Sequence, residues 1–276
     1  MPRRKASAAP KRRRSQAAKA DLHELYERAV QDPPTDADTL ARLYRKIRGR
    51  EPDVLREDFC GTAILSTHWV MAGPRRRAVA IDLDKPTLEW SRRHNRTKLQ
   101  PEQADRLELL QANVLDGEGP RSDITAALNF SYCIFKQRSQ LLEYFKAARK
   151  RLKADGIFVL DVLGGTDSMG ADVNSHHLGD FVYVWEQAHF DPLTHEFLAH
   201  IHFEFPDGSR VTKAYTYDWR LWTMPELCDV LRDAGFSATH PLWEKTDARG
   251  EGLGLFYEPK RVENQQSWWT YLVAER

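Results

Sequence analysis

The sequence predicts an α/β fold: a seven-stranded, mostly parallel sheet with helices on both faces, carrying an antiparallel β flap inserted after strand five. Three observations predict it. Apolar strand-like runs alternate with helical periods through the first two-thirds of the 276 residues, the signature of a parallel sheet with crossover helices. A strand, a tight turn, a helix and a second strand ending in a carboxylate run from Leu55-Arg56-Glu57-Asp58-Phe59-Cys60-Gly61-Thr62-Ala63 to Arg77-Ala78-Val79-Ala80-Ile81-Asp82. After Gly164-Gly165 the hydrophobic period changes to two, as in antiparallel strands.

The elements follow in order. Residues 1–20 carry eight basic side chains (Arg3, Arg4, Lys5, Lys11, Arg12, Arg13, Arg14, Lys19) and no acid. Such a segment has almost nothing to bury and is expected to be a disordered basic tail, suited to nucleic acid or to targeting, without the apolar stretch of a secretory signal. The net charge of +1 leaves the remainder at −7, which argues against broad phosphate-backbone binding by the folded part. Residues 21–276 are expected to form one domain. From Asp21, residues Leu22, Leu25, Tyr26, Ala29 and Val30 fall at helical spacing until Pro33-Pro34 breaks the pattern, and a second helix is expected over 36–48 with Gly49 as its stop. These N-terminal helices, 21–50, either cover a ligand or simply pack.

Strand one is expected at Val54–Phe59, with a helix over 62–72. Strand two is Ala78–Asp82, followed by a helix from Pro86. Leu107–Gln111 reads as strand three and Ile124–Phe130 as strand four; a long helix over 134–152 leads to strand five at Gly156–Val162. Segments 181–190, 196–205 and 210–219 then alternate apolar and polar, with Pro206-Asp207-Gly208 as a turn, so a three-stranded flap is expected within an insertion at 166–222. Thr223-Met224-Pro225-Glu226 has the N-cap and N3 acid of a capping box, and strands near 238–243 and 269–274 bring the sheet to seven.

The turn after strand one brings backbone N–H groups and a helix N-terminus toward a ligand, while the acid ending strand two is placed to hold ribose hydroxyls. With Gly61 as its lone glycine it departs from G-x-G-x-x-G, which disfavours a pyrophosphate pressed onto the backbone and points to a nucleoside without phosphates. These residues resemble the class I S-adenosylmethionine-dependent methyltransferases, whose first motif is an acid, any residue, Gly, a small residue, Gly, any residue, Gly. Cys60-Gly61-Thr62-Ala63 matches its second half and Glu57 its acid, while Phe59 and Ala63 stand where the family has glycine. Phe59 would then have to point away from the methionine part of the cofactor. The resemblance covers residues 50–276 and implies a Rossmann-like sheet, with S-adenosyl-L-methionine as cofactor.

The resemblance also implies roles. Glu57, Cys60, Gly61 and Thr62 would meet the methionine end and Asp82 the ribose; Leu83, Asn113 and Val114 would meet the adenine, and Asn129 and Phe130 would flank the methyl-donor sulfur. In Ala127-Leu128-Asn129-Phe130-Ser131-Tyr132 the residues Asn129 and Tyr132 also match two positions of the Asn-Pro-Pro-Tyr motif of nucleic-acid amino-methyltransferases, though both prolines are absent. Otherwise Tyr132 would line an acceptor pocket. Flap aromatics, Tyr183 with Trp185 and Tyr217 with Trp219, share strand faces that would box in a cationic acceptor or form the flap's own core. Arg220 is a candidate anion anchor, with an ion pair to a nearby acid as the plainer reading. A general base, where one is needed, would come from His176, His177 or His202. His200, His202 and Glu204 share a strand face at ligand-like spacing, but no further ligand cluster joins them and methyl transfer from a sulfonium needs no metal, so none is expected.

The expected function is methyl transfer to a nitrogen or oxygen of a small-molecule acceptor. Its alternatives are a nucleic-acid base methyltransferase using the basic tail with Asn129 and Tyr132, and a non-catalytic binding protein on the same fold. Cys60, Cys133 and Cys228 form no disulfide framework, and no apolar run approaches the roughly 20 residues of a membrane helix. A reducing, cytoplasmic setting without membrane attachment is therefore expected, and the oligomeric state is left open.

Overall fold

A computed structural model describes residues 14–116, 119–250 and 252–276. Its centre is a seven-stranded sheet built from β1 (Val54–Asp58), β2 (Arg77–Asp82), β3 (Leu107–Gln111), β4 (Ser122–Ala127), β5 (Leu152–Gly164), β10 (Ala238–Pro241) and β13 (Trp268–Glu275), in the order β10-β13-β5-β4-β1-β2-β3. The first five strands are mutually parallel, and β13 runs antiparallel between β5 and β10. Central β4 is buried at every position, which explains its unalternated Ile124-Thr125-Ala126-Ala127 run.

Helices cover both faces. On one lie α2 (Pro33–Arg48) and α3 (Ile64–Met71), whose Leu40, Tyr44 and Trp69 pack with Leu55, Ile157 and Val159. On the other lie α6 (Arg138–Arg151) and α7 (Met224–Asp233), whose Leu141, Tyr144, Phe145 and Leu227 pack with Phe158 and Leu160. The helices α4 (Lys85–His94) and α5 (Pro101–Ala104) lead from β2 to β3. The strand order reverses between β1 and β4, so their C-terminal ends open the crevice at which open α/β sheets bind ligands.

A second sheet, antiparallel, is formed by β6 (Asp172–His177), β7 (Val182–Phe190), β8 (Glu196–Glu204) and β9 (Arg210–Arg220). Helix α1 (Leu22–Val30) packs on this flap through Leu25, beside Phe181, Ile201 and Phe203. Ion pair Arg28–Asp180 and the Tyr215 hydroxyl bond to the Leu22 carbonyl (3.0 Å) tie it there. The first helix therefore roofs the crevice between the two sheets.

Several expectations are corrected. The flap has four strands rather than three, because β6, Asp172-Val173-Asn174-Ser175-His176-His177, is an exposed edge with no apolar alternation to announce it. A hairpin of β11 (Trp243–Thr246) and β12 (Gly252–Tyr257) was not anticipated. Pro33-Pro34 opens α2 instead of only ending α1, as suits a residue whose missing N–H has no helical partner at the first turn. Residues 131–134 form a 3₁₀ turn, so α6 starts at Arg138. The expected disordered tail falls outside the described residues up to 13; beyond it, 17–19 form a 3₁₀ turn, with the Gln16 and Ala17 amides on the Asp207 and Ser209 side chains of the flap. The Thr223–Glu226 capping box forms as read.

Candidate active site

The turn from β1 into α3 takes the path that glycines would allow, with few glycines in it. Phe59 (φ 58°), Gly61 (φ 52°) and Ala63 (φ 54°) are all left-handed. The first and last occupy the positions of missing motif glycines, at a cost of about 1–2 kcal/mol for each non-glycine residue. Fixed contacts offset that cost. The Phe59 ring turns onto Phe135 and Tyr144, with centroids 6.1 and 5.4 Å away, while the Cys60 amide donates to the Ile81 carbonyl (2.9 Å). Beneath the turn, buried Glu57 accepts from the Ser66 amide (2.9 Å) and hydroxyl (2.5 Å), and burial pushes its carboxyl up to about 8. Glu57 thus supports the turn and lines neither chamber described below.

Asp82 ends β2 beside this turn. One carboxylate oxygen accepts from the Gly61 amide (2.7 Å) and the other from the Asp84 amide (2.9 Å). Each keeps a further lone pair.

At the end of β4, Asn129 (φ 56°) and Phe130 (φ 54°) are also left-handed. Their amides donate to the carboxylate of Asp161 on β5, at 2.7 and 2.8 Å. Burial pushes the Asp161 carboxyl up to about 7, against the pull of these two bonds.

Two chambers meet here. The first, about 410 Å³, is lined at its base by Cys60, Gly61, Thr62 and Asp82, and from above by Tyr26 of α1 and Tyr215 of the flap. The second, about 570 Å³, lies under the flap and is walled by Tyr183, Trp185, Gln187, Trp268 and Trp269. Tyr26, Asn129, Tyr217 and Trp219 belong to the walls of both.

Of the residues singled out by sequence, Cys60, Gly61, Thr62, Asp82 and Asn129 gather in the first chamber, and Phe130, Tyr183, Trp185, Tyr217 and Trp219 around the second. Others are corrected. Tyr132 is 1% exposed, packed in the core beside Cys133, and burial pushes its hydroxyl well above its usual value, so it lines neither chamber. His202 lies on the flap face opposite the chamber-lining Ile201, bound to Glu186 (2.7 Å) and the Lys213 amide (3.1 Å). His200 there contacts the Thr216 hydroxyl at 3.0 Å. Arg220 stacks over Trp222 and binds Glu226 (3.2 Å) and the Lys136 carbonyl (3.1 Å), away from both chambers. Asn113 closes a turn onto the Leu115 amide (3.0 Å), Val114 is core, and Leu83 stands 65% exposed beside Asp82. Of the candidate bases, His176 alone lines the second chamber.

Sequence reasoning missed Tyr26, Gln187 and Asp161. Gln187 continues the β7 face of Tyr183 and Trp185 at period two, so its direction was readable. A lone acid at the end of the apolar run Ile157-Phe158-Val159-Leu160 was a comparable signal for Asp161, since a buried carboxylate must find donors.

Solved structures share this fold over most of the chain. An S-adenosylmethionine-dependent methyltransferase from Clostridium acetobutylicum ATCC 824 matches with a TM-score of 0.68, over 92% of this chain and 97% of its own, at 16% identity. This chain has the class I methyltransferase fold. CalS10 of Micromonospora echinaspora, an amino pentose methyltransferase of calicheamicin biosynthesis solved with S-adenosylmethionine, matches at 0.62 over 93% and 97% of the two chains, at 14% identity. DesVI of Streptomyces venezuelae matches at 0.65 over 93% and 97%, at 15% identity. No protein-family model matches the sequence, and no curated protein sequence does.

Proposed function

We propose that this protein is an S-adenosylmethionine-dependent methyltransferase that acts on a nitrogen or oxygen of a small molecule. The observation that carries the reading is the shared wall: Asn129 stands between a nucleoside-sized cleft and a separate aromatic chamber, where a donor and an acceptor would meet. The amino pentose acceptor of one structural neighbour supports a small-molecule substrate.

The cleft fits the cofactor. A Cβ built on Gly61 would meet nothing within 4 Å, so the turn faces open space, and the left-handed Phe59 has carried its ring toward Tyr144. Asp82 would hold the ribose hydroxyls on its free lone pairs, while Cys60, Gly61 and Thr62 would lie along the methionine end and Leu83 against the adenine. S-adenosylmethionine supplies, when bound, a methyl group on a sulfonium whose leaving group is a neutral thioether. The chain's own contribution is then alignment, worth roughly 7–11 kcal/mol at best. Asn129 would orient the acceptor through its side-chain amide, which has no hydrogen-bond partner among the described residues, and Phe130 and Trp219 would exclude water. An acceptor that arrives protonated must lose its proton, and His176 is the imidazole of the chamber wall placed to take it.

Titration calorimetry with S-adenosylmethionine tests the cofactor half of this reading, and labelled donor incubated with a cell extract split into metabolite, RNA and protein fractions tests the acceptor half. Label confined to RNA or protein would overturn the small-molecule acceptor.

A further inference from the structure

The acceptor-side chamber has a chemical bias that the cofactor cleft lacks. Its walls are rich in aromatic rings: Trp185 stacks on Tyr217 with centroids 5.7 Å apart, Tyr217 lies tilted against Trp219 at 4.2 Å, and Tyr183 and Trp268 add to the wall. A ring face that opens onto a cavity attracts positive charge.

Gln187 adds a directional polar group. It is 5% exposed, and both hydrogens of its side-chain amide are spent on the carbonyls of Ser168 (2.9 Å) and Gly170 (2.7 Å). Those two acceptors fix which end is nitrogen, so the oxygen is the end left over; it has no hydrogen-bond partner among the described residues. Because Gln187 lines the chamber, that oxygen is free to accept a hydrogen bond from a molecule bound there. The chamber therefore asks for an N–H or O–H, or for positive charge.

The ionised groups of the wall have one sign. Asp167 and Asp172 line the chamber, and neither forms an ion pair among the described residues; no Lys or Arg lines it among those residues. A phosphate or carboxylate entering would meet two acids and neither Lys nor Arg, with the imidazole of His176 as the one basic side chain of the wall among the described residues.

We infer that the chamber takes its acceptor as an amine cation on an otherwise uncharged body, and excludes molecules that bear phosphate or carboxylate. This rests on the methyltransferase reading for the word acceptor, while the binding preference stands on the chamber itself. Among small molecules it selects a basic amine over an alcohol, an acid or a nucleotide-linked substrate.

Three titrants separate the terms: choline, its uncharged isostere of the same size 3,3-dimethylbutan-1-ol, and phosphocholine, which adds a phosphate to the same head. Calorimetry on the full chain should show choline binding at least tenfold tighter than either of the others. Trp185→Ala should weaken choline at least fivefold and Trp185→Phe should restore most of the loss, because a ring face is what the cation uses. Asp167→Asn combined with Asp172→Asn should narrow the gap between choline and phosphocholine. Choline binding no tighter than the alcohol, or phosphocholine binding as tightly as choline, overturns the inference; so does the absence of choline binding. S-adenosylmethionine titrated into the same samples keeps the two claims apart, since its failure to bind with the choline preference intact would remove the methyltransferase reading alone.

Discussion

Asp161 accepts the backbone N–H of Asn129 at 2.7 Å, so that an acid within β5 sets the conformation of a residue just past the end of the neighbouring β4. The bond to Phe130 doubles the hold, and two left-handed residues in a row are sustained by two charge-assisted bonds of about 1.5–3 kcal/mol each. Because Asn129 belongs to the wall between the chambers, Asp161 is a positioning residue for transfer. Asp161→Asn would set its side-chain NH₂ against one of those amides. Single-turnover methyl transfer should slow by at least tenfold while the S-adenosylmethionine Kd changes less than threefold. An unchanged rate would remove the positioning role.

Glu57 makes stability depend on pH. Burial raises its carboxyl to about 8, above the ordinary 4.5, so the folded state holds the proton more tightly than the unfolded one. Stability from this group is fully present below about pH 4.5 and is lost as the pH rises toward 8. Between pH 6 and 8 the loss is on the order of 2 kcal/mol. Glu57→Gln keeps the shape and an acceptor for Ser66 without titrating. Urea unfolding at pH 6 and pH 8 should show a smaller decline in the variant than in the native protein, and equal declines would place the titration elsewhere.

How far the sequence announced this arrangement depends on where the deciding forces act. The parallel strands were legible because Val79-Ala80-Ile81 and Ile157-Phe158-Val159-Leu160 are buried on both faces and read as unbroken apolar runs. Phe59 and Ala63 looked like departures from a glycine motif because sequence shows residue type and not φ; both hold the glycine conformation, Phe59 with its ring packed on Phe135 and Tyr144 far along the chain. Edge strand β6 is polar because no layer covers it, so the pattern that reveals buried strands is missing. Tyr132, His202 and Arg220 had suitable chemistry, but their direction is set by packing: Tyr132 points into the core, and the other two onto Glu186 and Glu226. The partnership of α1 with the flap joins residues about 190 positions apart, as Leu22 with Tyr215 shows, and no local period encodes that distance.

Removal of residues 1–13 distinguishes a small-molecule enzyme from one acting on nucleic acid. Six of the eight tail cations lie there, and counterion release would make them dominate affinity for a phosphate backbone. For a small-molecule acceptor, kcat/KM should stay within twofold after the deletion and should vary little between 50 and 200 mM salt. A steep salt dependence that the deletion abolishes would favour the nucleic-acid substrate instead.

Asp82 carries two duties that substitution can separate. Its carboxylate ties the Gly61 amide and so fixes the turn, and its remaining lone pairs are the ribose acceptors of the proposed site. Asp82→Ala removes both and should weaken S-adenosylmethionine by at least thirtyfold in calorimetry. Asp82→Asn keeps one acceptor oxygen, enough for the Gly61 amide, but sets an NH₂ against the Asp84 amide and the ribose; binding should weaken about tenfold, with the melting temperature falling less than in Asp82→Ala. If Asn matched the native affinity, the carboxylate would be a support of the turn alone, and the ribose would have to be held by other groups.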